Sequence, residues 1–311
     1  MRLREAVAVG SHVSCAQVMS SERSMRSSRG TAVRCLDRAS ASPSYDGARP
    51  FIKWAGGKRQ LLPALVARIP DTYGTYFEPF LGGGALFFSQ RPGRAVLADV
   101  NTRLVRTYRG VRDHVDDIIG FLNEYPHDSN FYYEFRQRDI DSASDAEVAA
   151  WFIYLNKTGY NGLYRVNRGN GFNVPFGRYA NPTICDESTL RACSAALATV
   201  GQLLVSDFEA AVADAQRGDF VYFDPPYVPL SVTSSFASYT SDGFGLEEQI
   251  RLRDVARRLK KRGVRVLLSN SSAPFVRNLY ADDFDIEEVL ATRMVNSKAS
   301  ARGAIVELVI T

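Results

Sequence analysis

The tetrapeptide Asp224-Pro225-Pro226-Tyr227 holds the densest chemistry in this sequence. It follows Phe220–Phe223, a short apolar run that reads as a buried strand. Two consecutive prolines make a stiff turn with no backbone donors. What the turn offers is acceptors, the Asp224 carboxylate and the Pro225 carbonyl, beside the flat face of Tyr227. Those groups suit a planar ring bearing an exocyclic amine. Two acceptors that take both N–H bonds oppose delocalisation of the amine lone pair into the ring and aim it outward. Such an amine attacks a methyl sulfonium placed in line, with rate gained from positioning and preorganised dipoles and with no metal required. Taken alone, the tetrapeptide also fits a plain turn in which Asp224 is a cap.

A second constellation lies upstream. Gly82-Gly83-Gly84 follows an expected strand, Tyr76–Phe80, and opens an apolar helix from Ala85, so a ligand can approach the backbone closely. Asp99 ends the next strand, Ala95–Ala98, where a carboxylate accepts hydrogen bonds from ribose hydroxyls. An adenosine-containing cofactor follows. The glycines do not have the Gly-x-Gly-x-x-Gly spacing, and Leu81–Phe88 has no side chain for a phosphate. S-adenosylmethionine, which has no phosphate, fits better than a dinucleotide. A glycine turn after a strand is, by itself, equally well only a turn.

The elements that must position these groups alternate as in an α/β sheet. Helices are expected over Gln60–Ile69 and Asn101–Asn123, and over Leu246–Arg262 with Gly263 as the stop. A strand over Val264–Leu268 ends at Ser269-Asn270, and Phe284–Leu290 with Ala304–Ile310 closes the chain as an antiparallel pair. Between about 124 and 204 the character changes. Aromatics cluster at Phe131, Tyr132, Tyr133 and Phe135, Ser144 and Glu147 form a capping box before Val148–Leu155, and a Gly- and Asn-rich loop runs from Asn156 to Asn181. The expected organisation is a leader over 1–49, a cofactor and catalytic domain from 50–123 and 205–311, and an inserted module over 124–204.

The chain has 311 residues, 45% hydrophobic and 23% charged, enough for a sizeable core and without an apolar run long enough to span a bilayer. Its net charge of +4 lies in the leader, where residues 1–49 hold eight arginines and four acids; the remainder balances. The Ser- and Arg-rich leader reads as a disordered, solvated extension or an upstream start site, ahead of a transit peptide. Four cysteines without a Cys-x-x-Cys pair and three scattered histidines exclude a zinc ribbon and argue against a disulfide scaffold. No metal is expected, and a reducing, cytoplasmic setting fits. Oligomeric state is not encoded in any of these features.

From residue 50 onward the sequence resembles the Dam family of adenine-N6 DNA methyltransferases, the D12 class. The resemblance rests on Phe51-Ile52-Lys53-Trp54-Ala55-Gly56-Gly57-Lys58, Phe77-Glu78-Pro79-Phe80-Leu81-Gly82-Gly83-Gly84, Ala98-Asp99-Val100-Asn101, Gly159-Tyr160-Asn161-Gly162-Leu163, Phe172–Tyr179, and Asp224-Pro225-Pro226-Tyr227 with Pro229-Leu230-Ser231 after it. Asn296-Ser297-Lys298 and Arg302-Gly303 also fit. It implies a Rossmann-like methyltransferase sheet with a mainly helical DNA-recognition insert, S-adenosylmethionine as cofactor and double-stranded DNA as partner. It places Trp54, Glu78, Pro79, Phe80, Gly82 and Gly84 around the cofactor, Lys58 on the methionine carboxylate, Asp99 on the ribose, and Asp207 and Phe208 at the adenine. Asp224, Pro225, Pro226 and Tyr227 become the catalytic turn, with Asp224 also next to the cofactor. Read without the family, Ser206-Asp207 is equally a helix cap.

The insert then reads as the DNA-recognition module. Asn156–Tyr179 carries Lys157, Arg165, Arg168 and Arg178 and no acid, interleaved with Tyr160, Tyr164, Phe172 and Tyr179 as stacking or wedge surfaces. The resemblance puts Tyr160 and Asn161 in a loop entering the duplex, Leu163, Arg165 and Pro175 at flanking bases, and Arg178 and Tyr179 at the backbone or a neighbouring base. The family's frequent target is GATC, although Asn156-Lys157-Thr158 and the spacer Val166–Gly171 depart from its commoner forms. Arg251–Arg265, with eight basic residues and one acid, reads instead as a solvated helix face. Rival readings are an RNA or protein amide methyltransferase, which would lack the duplex-DNA module, and a catalytically silent DNA-binding homologue, which would have a damaged tetrapeptide or glycine loop.

Overall fold

The computed structural model describes residues 47–58, 60–230, 244–292 and 304–311. Leader residues 1–46, Ser231, Asn296–Lys298 and Arg302-Gly303 lie outside them. Ser44–Thr311 is one compact unit.

Seven strands form one sheet: β1 (Tyr76–Glu78), β2 (Ala95–Asp99), β3 (Val200–Val205), β4 (Phe220–Phe223), β5 (Arg265–Ser271), β6 (Ile286–Thr292) and β7 (Ala304–Ile310). Their order is β3-β2-β1-β4-β5-β7-β6. Strands β1 to β5 pair in parallel, and β7 runs antiparallel between β5 and β6. The carboxyl ends of five strands therefore share one edge, where an open α/β sheet takes its ligands. This is the Rossmann-like methyltransferase arrangement. All four residues of β4 are buried, as a central parallel strand covered on both faces requires.

Alternate side chains face two cores. On one face Tyr76, Leu97, Phe220, Tyr222 and Leu267 pack with α2 (Ala85–Gln90) and α3 (Thr102–Asp113). On the other, Phe77, Val221, Phe223, Val266 and Leu268 pack with α8 (Phe208–Ala211), α9 (Leu246–Arg262) and α10 (Pro274–Tyr280). The α9 boundaries are those expected, because Glu248 bonds back to the Gly245 N–H at the start and Gly263, at φ +86°, closes the end. No described helix is long and apolar enough to cross a membrane.

Several boundaries moved. The first helix, α1, covers only Leu62–Val66; Arg68 and Ile69 already bond three residues back, the tighter closure of a helix end. The expected helix over 101–123 is two, α3 and α4 (Val115–Glu124), broken at His114 where φ is −139°. Strand β5 runs on through Ser269 and Asn270, which the sequence reading had placed beyond its end. Residues 200–204, expected in the insert, belong to edge strand β3 and pair with β2.

The segment between β2 and β3 is mainly helical, with α4, α5 (Ser129–Phe135), α6 (Asp145–Thr158) and α7 (Glu187–Leu197). It shares its core with α3. Helix α6 is buried from Val148 to Asn156, and both halves of its Ser144–Glu147 capping box are present. Arg103 of α3 forks onto Asp141 with two bonds of 2.7 Å and donates to the Asn170 carbonyl at 2.8 Å. Arg106 binds Asp145 at 2.6 Å. These planar forks fix the helical segment to the sheet half.

Candidate functional site

The tetrapeptide leaves the sheet edge at the end of β4. Asp224 is four-fifths buried, and Lys58 Nζ lies 2.8 Å from its Oδ1. The ammonium also donates to the Gly56 carbonyl at 2.6 Å and stands 4.5 Å over the Tyr227 ring. The family resemblance had put Lys58 on the methionine carboxylate; the structure puts it on Asp224. A nearly fully buried ammonium needs a partner, and the nearest carboxylate supplies one. Burial pushes the Asp224 carboxyl up, while Lys58 and Ser269 pull it back. Tyr227 is held by a 3.0 Å bond from its hydroxyl to Glu307 on β7.

Glu78 ends β1 directly beside β4. Burial is the main cause that pushes its carboxyl up to about 8; the bond from Tyr76 opposes this, and the Asp224 charge adds to it. Tyr76 donates to it at 2.6 Å. A Glu in this state is mostly protonated at neutral pH, next to an Asp paired with Lys58.

The glycine loop and Asp99 meet directly. Asp99 Oδ2 accepts from the Gly82 N–H at 3.0 Å, and Oδ1 accepts from the Asn101 N–H at 2.9 Å. Burial raises the Asp99 carboxyl and these backbone donors counter it. Gly82 and Gly84 sit at φ +46° and +64°, and a Cβ on Gly82 would lie 2.7 Å from Trp54 Cδ1. Only glycine fits there. Trp54 in turn stacks on Tyr164 at 5.8 Å and Phe152 at 6.2 Å. Pro79 is buried between β1 and the loop. Phe80 stacks on Phe208 at 5.4 Å and meets Phe223 edge-on at 6.3 Å, so an aromatic floor joins the ends of β1, β3 and β4. Gly82, Gly84, Trp54, Phe80 and Asp99 come together at this sheet edge, and none of them carries a positive charge for a phosphate. Asp207 caps α8 and takes a fork from Arg251 at 3.1 and 2.6 Å.

The basic face of α9 is exposed as expected, and it is also paired: Arg251 binds Asp207, Arg258 binds Glu209, Arg257 binds Asp283 at 2.9 Å, and Arg262 donates to the carbonyls of Ala213 and Ala215. The acids come from other elements, which a local charge count does not see.

The Gly- and Asn-rich segment folds as a hairpin. Val166 pairs with Phe172, and Asn167 Oδ1 accepts from the N–H groups of Gly169 and Gly171 to close the tip. Tyr160–Gly162 is a single 3-10 turn with Asn161 at φ +54°. Tyr160, Asn161, Leu163, Arg165, Pro175 and Arg178 are all exposed, and Tyr179 is half-buried with Lys53 Nζ 4.8 Å over its ring. Arg165 is braced on Asn173 at 2.7 Å. Two aromatics expected as stacking surfaces are not free: Phe172 is buried edge-on to Trp151, and Tyr164 is sandwiched with Phe152 and Trp54. Their apolar area is used up inside the module.

Sequence reasoning missed three features. Asn156 is a buried clamp that receives the Lys53 N–H and donates to the Lys53 and Gly162 carbonyls, each at 2.8 Å. A cavity of about 380 Å³ beside the hairpin is lined by Arg103, Arg136 and Arg138 with Trp151 and Phe172. Ser269, Gln249 and Asn270 surround the tetrapeptide. Only the polar character of Ser269-Asn270 after an apolar run hinted at these.

Residues 54–295 match the family model described as D12 class N6 adenine-specific DNA methyltransferase. A type II methyltransferase of Lactococcus lactis subsp. cremoris is 47% identical over 270 residues, covering 85% of this chain and 95% of that one. A type II methyltransferase of Methanocaldococcus jannaschii is 40% identical over 285 residues, covering 84% and 98%. A DNA adenine methylase of Escherichia coli (strain K12) is 34% identical over 264 residues, covering 84% and 94%.

Proposed function

The chain belongs to the D12 class of N6 adenine-specific DNA methyltransferases, and from that premise we propose that it moves the methyl group of S-adenosylmethionine onto N6 of an adenine flipped out of duplex DNA. The observation that carries this reading is the convergence, at one sheet edge, of an amine-accepting turn at the end of β4 and an adenosine-shaped cradle at the ends of β1 and β2. S-adenosylmethionine supplies an electrophilic methyl sulfonium. Asp224 and the Pro225 carbonyl accept the two N–H bonds of the adenine amine, and the Tyr227 ring stacks on the base. Trp54, Phe80, Gly82, Gly84 and Asp99 hold the cofactor with Pro79, Glu78 and Phe208 behind them. Lys58 serves as the counter-charge of Asp224. Asp207, engaged by Arg251, contributes to the adenine end through its remaining lone pairs.

Tyr160 and Asn161 enter the duplex, Leu163, Arg165 and Pro175 read neighbouring bases, and Arg178 and Tyr179 hold the backbone. The arginine-lined cavity by the hairpin takes phosphate. The site proposed is GATC. Incubation with S-adenosylmethionine and unmodified genomic DNA, followed by base-resolution mapping of N6-methyladenine, tests activity and site together. Asp224→Ala is expected to abolish transfer and retain DNA binding; retained transfer would refute the assignment.

A further inference from the structure

Three acceptors of the Asp224–Val228 turn are engaged by buried side chains. Ser269 Oγ donates to Asp224 Oδ1 at 2.8 Å, and its oxygen is 3.0 Å from the Tyr222 hydroxyl. Gln249 Nε2 donates to the Pro226 carbonyl at 2.8 Å, while its own amide oxygen receives Asn270 Nδ2 at 3.0 Å. Ser271 Oγ donates to the Val228 carbonyl at 2.5 Å. Lys58 also lies on Asp224 Oδ1. Among the described residues, Asp224 Oδ2 and the Pro225 carbonyl receive no side-chain donor. Ser269 and Asn270 are 0% exposed and Gln249 1%. Burying three polar side chains under a turn costs more than packing it with apolar ones, unless their bonds have a use.

We propose that Ser269 and Gln249 are positioning residues of the methyl-acceptor site: they hold Asp224 Oδ1 and the Pro226 carbonyl and fix the turn, so that Asp224 Oδ2 and the Pro225 carbonyl are presented to the amine. This rests on the reading of the chain as an adenine methyltransferase. Ser269, backed by Tyr222, sets the rotation of the Asp224 carboxylate. Gln249, backed by Asn270, sets the Pro226 peptide and hence the carbonyl before it. The amine then meets two acceptors at a fixed spacing, as in-line attack demands.

Single-turnover methyl transfer to a duplex carrying the mapped site, measured with the full chain, tests this. Ser269→Ala and Gln249→Met are expected to slow the step about tenfold to hundredfold, with S-adenosylmethionine affinity and flipping, read by 2-aminopurine fluorescence at the target, close to wild type. Because the Ser269 hydroxyl lowers the Asp224 carboxyl, Ser269→Ala also moves the acid limb of the rate to higher pH. Ser269→Thr, which keeps the hydroxyl, restores both rate and limb. Unchanged rate and limb in Ser269→Ala and Gln249→Met overturn the proposal, as does an equal loss of affinity, flipping and thermal stability, which marks a packing role only. A wild-type chain that methylates no DNA overturns the functional reading itself, a separate and recognisable result.

Discussion

Glu78 shows how one buried carboxyl ties stability to pH. Its folded value is about 8, raised by burial. The unfolded chain gives up that proton near the ordinary glutamate value, so between there and about 8 the folded state binds more protons, and stability falls as pH rises through that window. Glu78→Gln keeps an acceptor for Tyr76 and removes the ionisation. Thermal unfolding should show the variant gaining on the wild type from about pH 5 to about pH 8, by several degrees, ~3 °C or more, at the upper end. Midpoints that differ equally at both ends would place the charged form in the folded core. At this scale the sequence was informative where a residue's type is its chemistry: Asp224, Tyr227, the glycines and Asp99 were found from type and spacing and occupy one sheet edge. It was least informative for Ser269 and Asn270, because a polar pair after an apolar run reads as a strand ending. Only the position of β5 between β4 and β7 makes that pair interior.

Elements kept their expected limits where an end signal stands. Helix α9 has its Glu248 and Gly263, and β4 is bounded by residues 219 and 224 as expected; α6 starts at its capping box but runs on to Thr158, three residues into the expected loop. Elements set by tertiary contact did not: the hairpin after Leu163 has no alternating apolar pattern, and its register comes from Asn167 and from the Gly159–Phe176 pairing. Asn156 belongs to this class. It makes bonds of the kind a strand neighbour would make, joining α6 to the Lys53 segment and to the turn bearing Tyr160. Asn156→Ala leaves those backbone groups unpaired and is expected to cost about 2–3 kcal/mol in denaturant unfolding. DNA affinity by fluorescence anisotropy should fall about tenfold under native conditions, a loss of about 1.4 kcal/mol. A change below about 0.5 kcal/mol in stability would mean that water replaces the amide.

From residue 50 onward, charge is balanced in sum and uneven in place. Arg165, Arg168 and Arg178 are exposed on one loop, whereas Arg251 and Arg258 are committed to Asp207 and Glu209. The salt dependence of DNA binding should reflect this. Arg178→Ala is expected to reduce the slope of log affinity against log salt by about one, the share of one phosphate, and Arg251→Ala to leave it unchanged. A reversed pattern would move the DNA face to α9. The sheet order carries one more consequence, which concerns synthesis. Tyr76 on β1 pairs with Ala95 on one side and with Phe220 on the other. The first partner leaves the ribosome almost at once; the second follows only after the whole helical segment. At roughly 5–20 residues per second, the central strand waits on the order of ten seconds with one edge open. During that interval the nascent chain is exposed to mispairing, and a chaperone that shields strand edges has its natural point of action there.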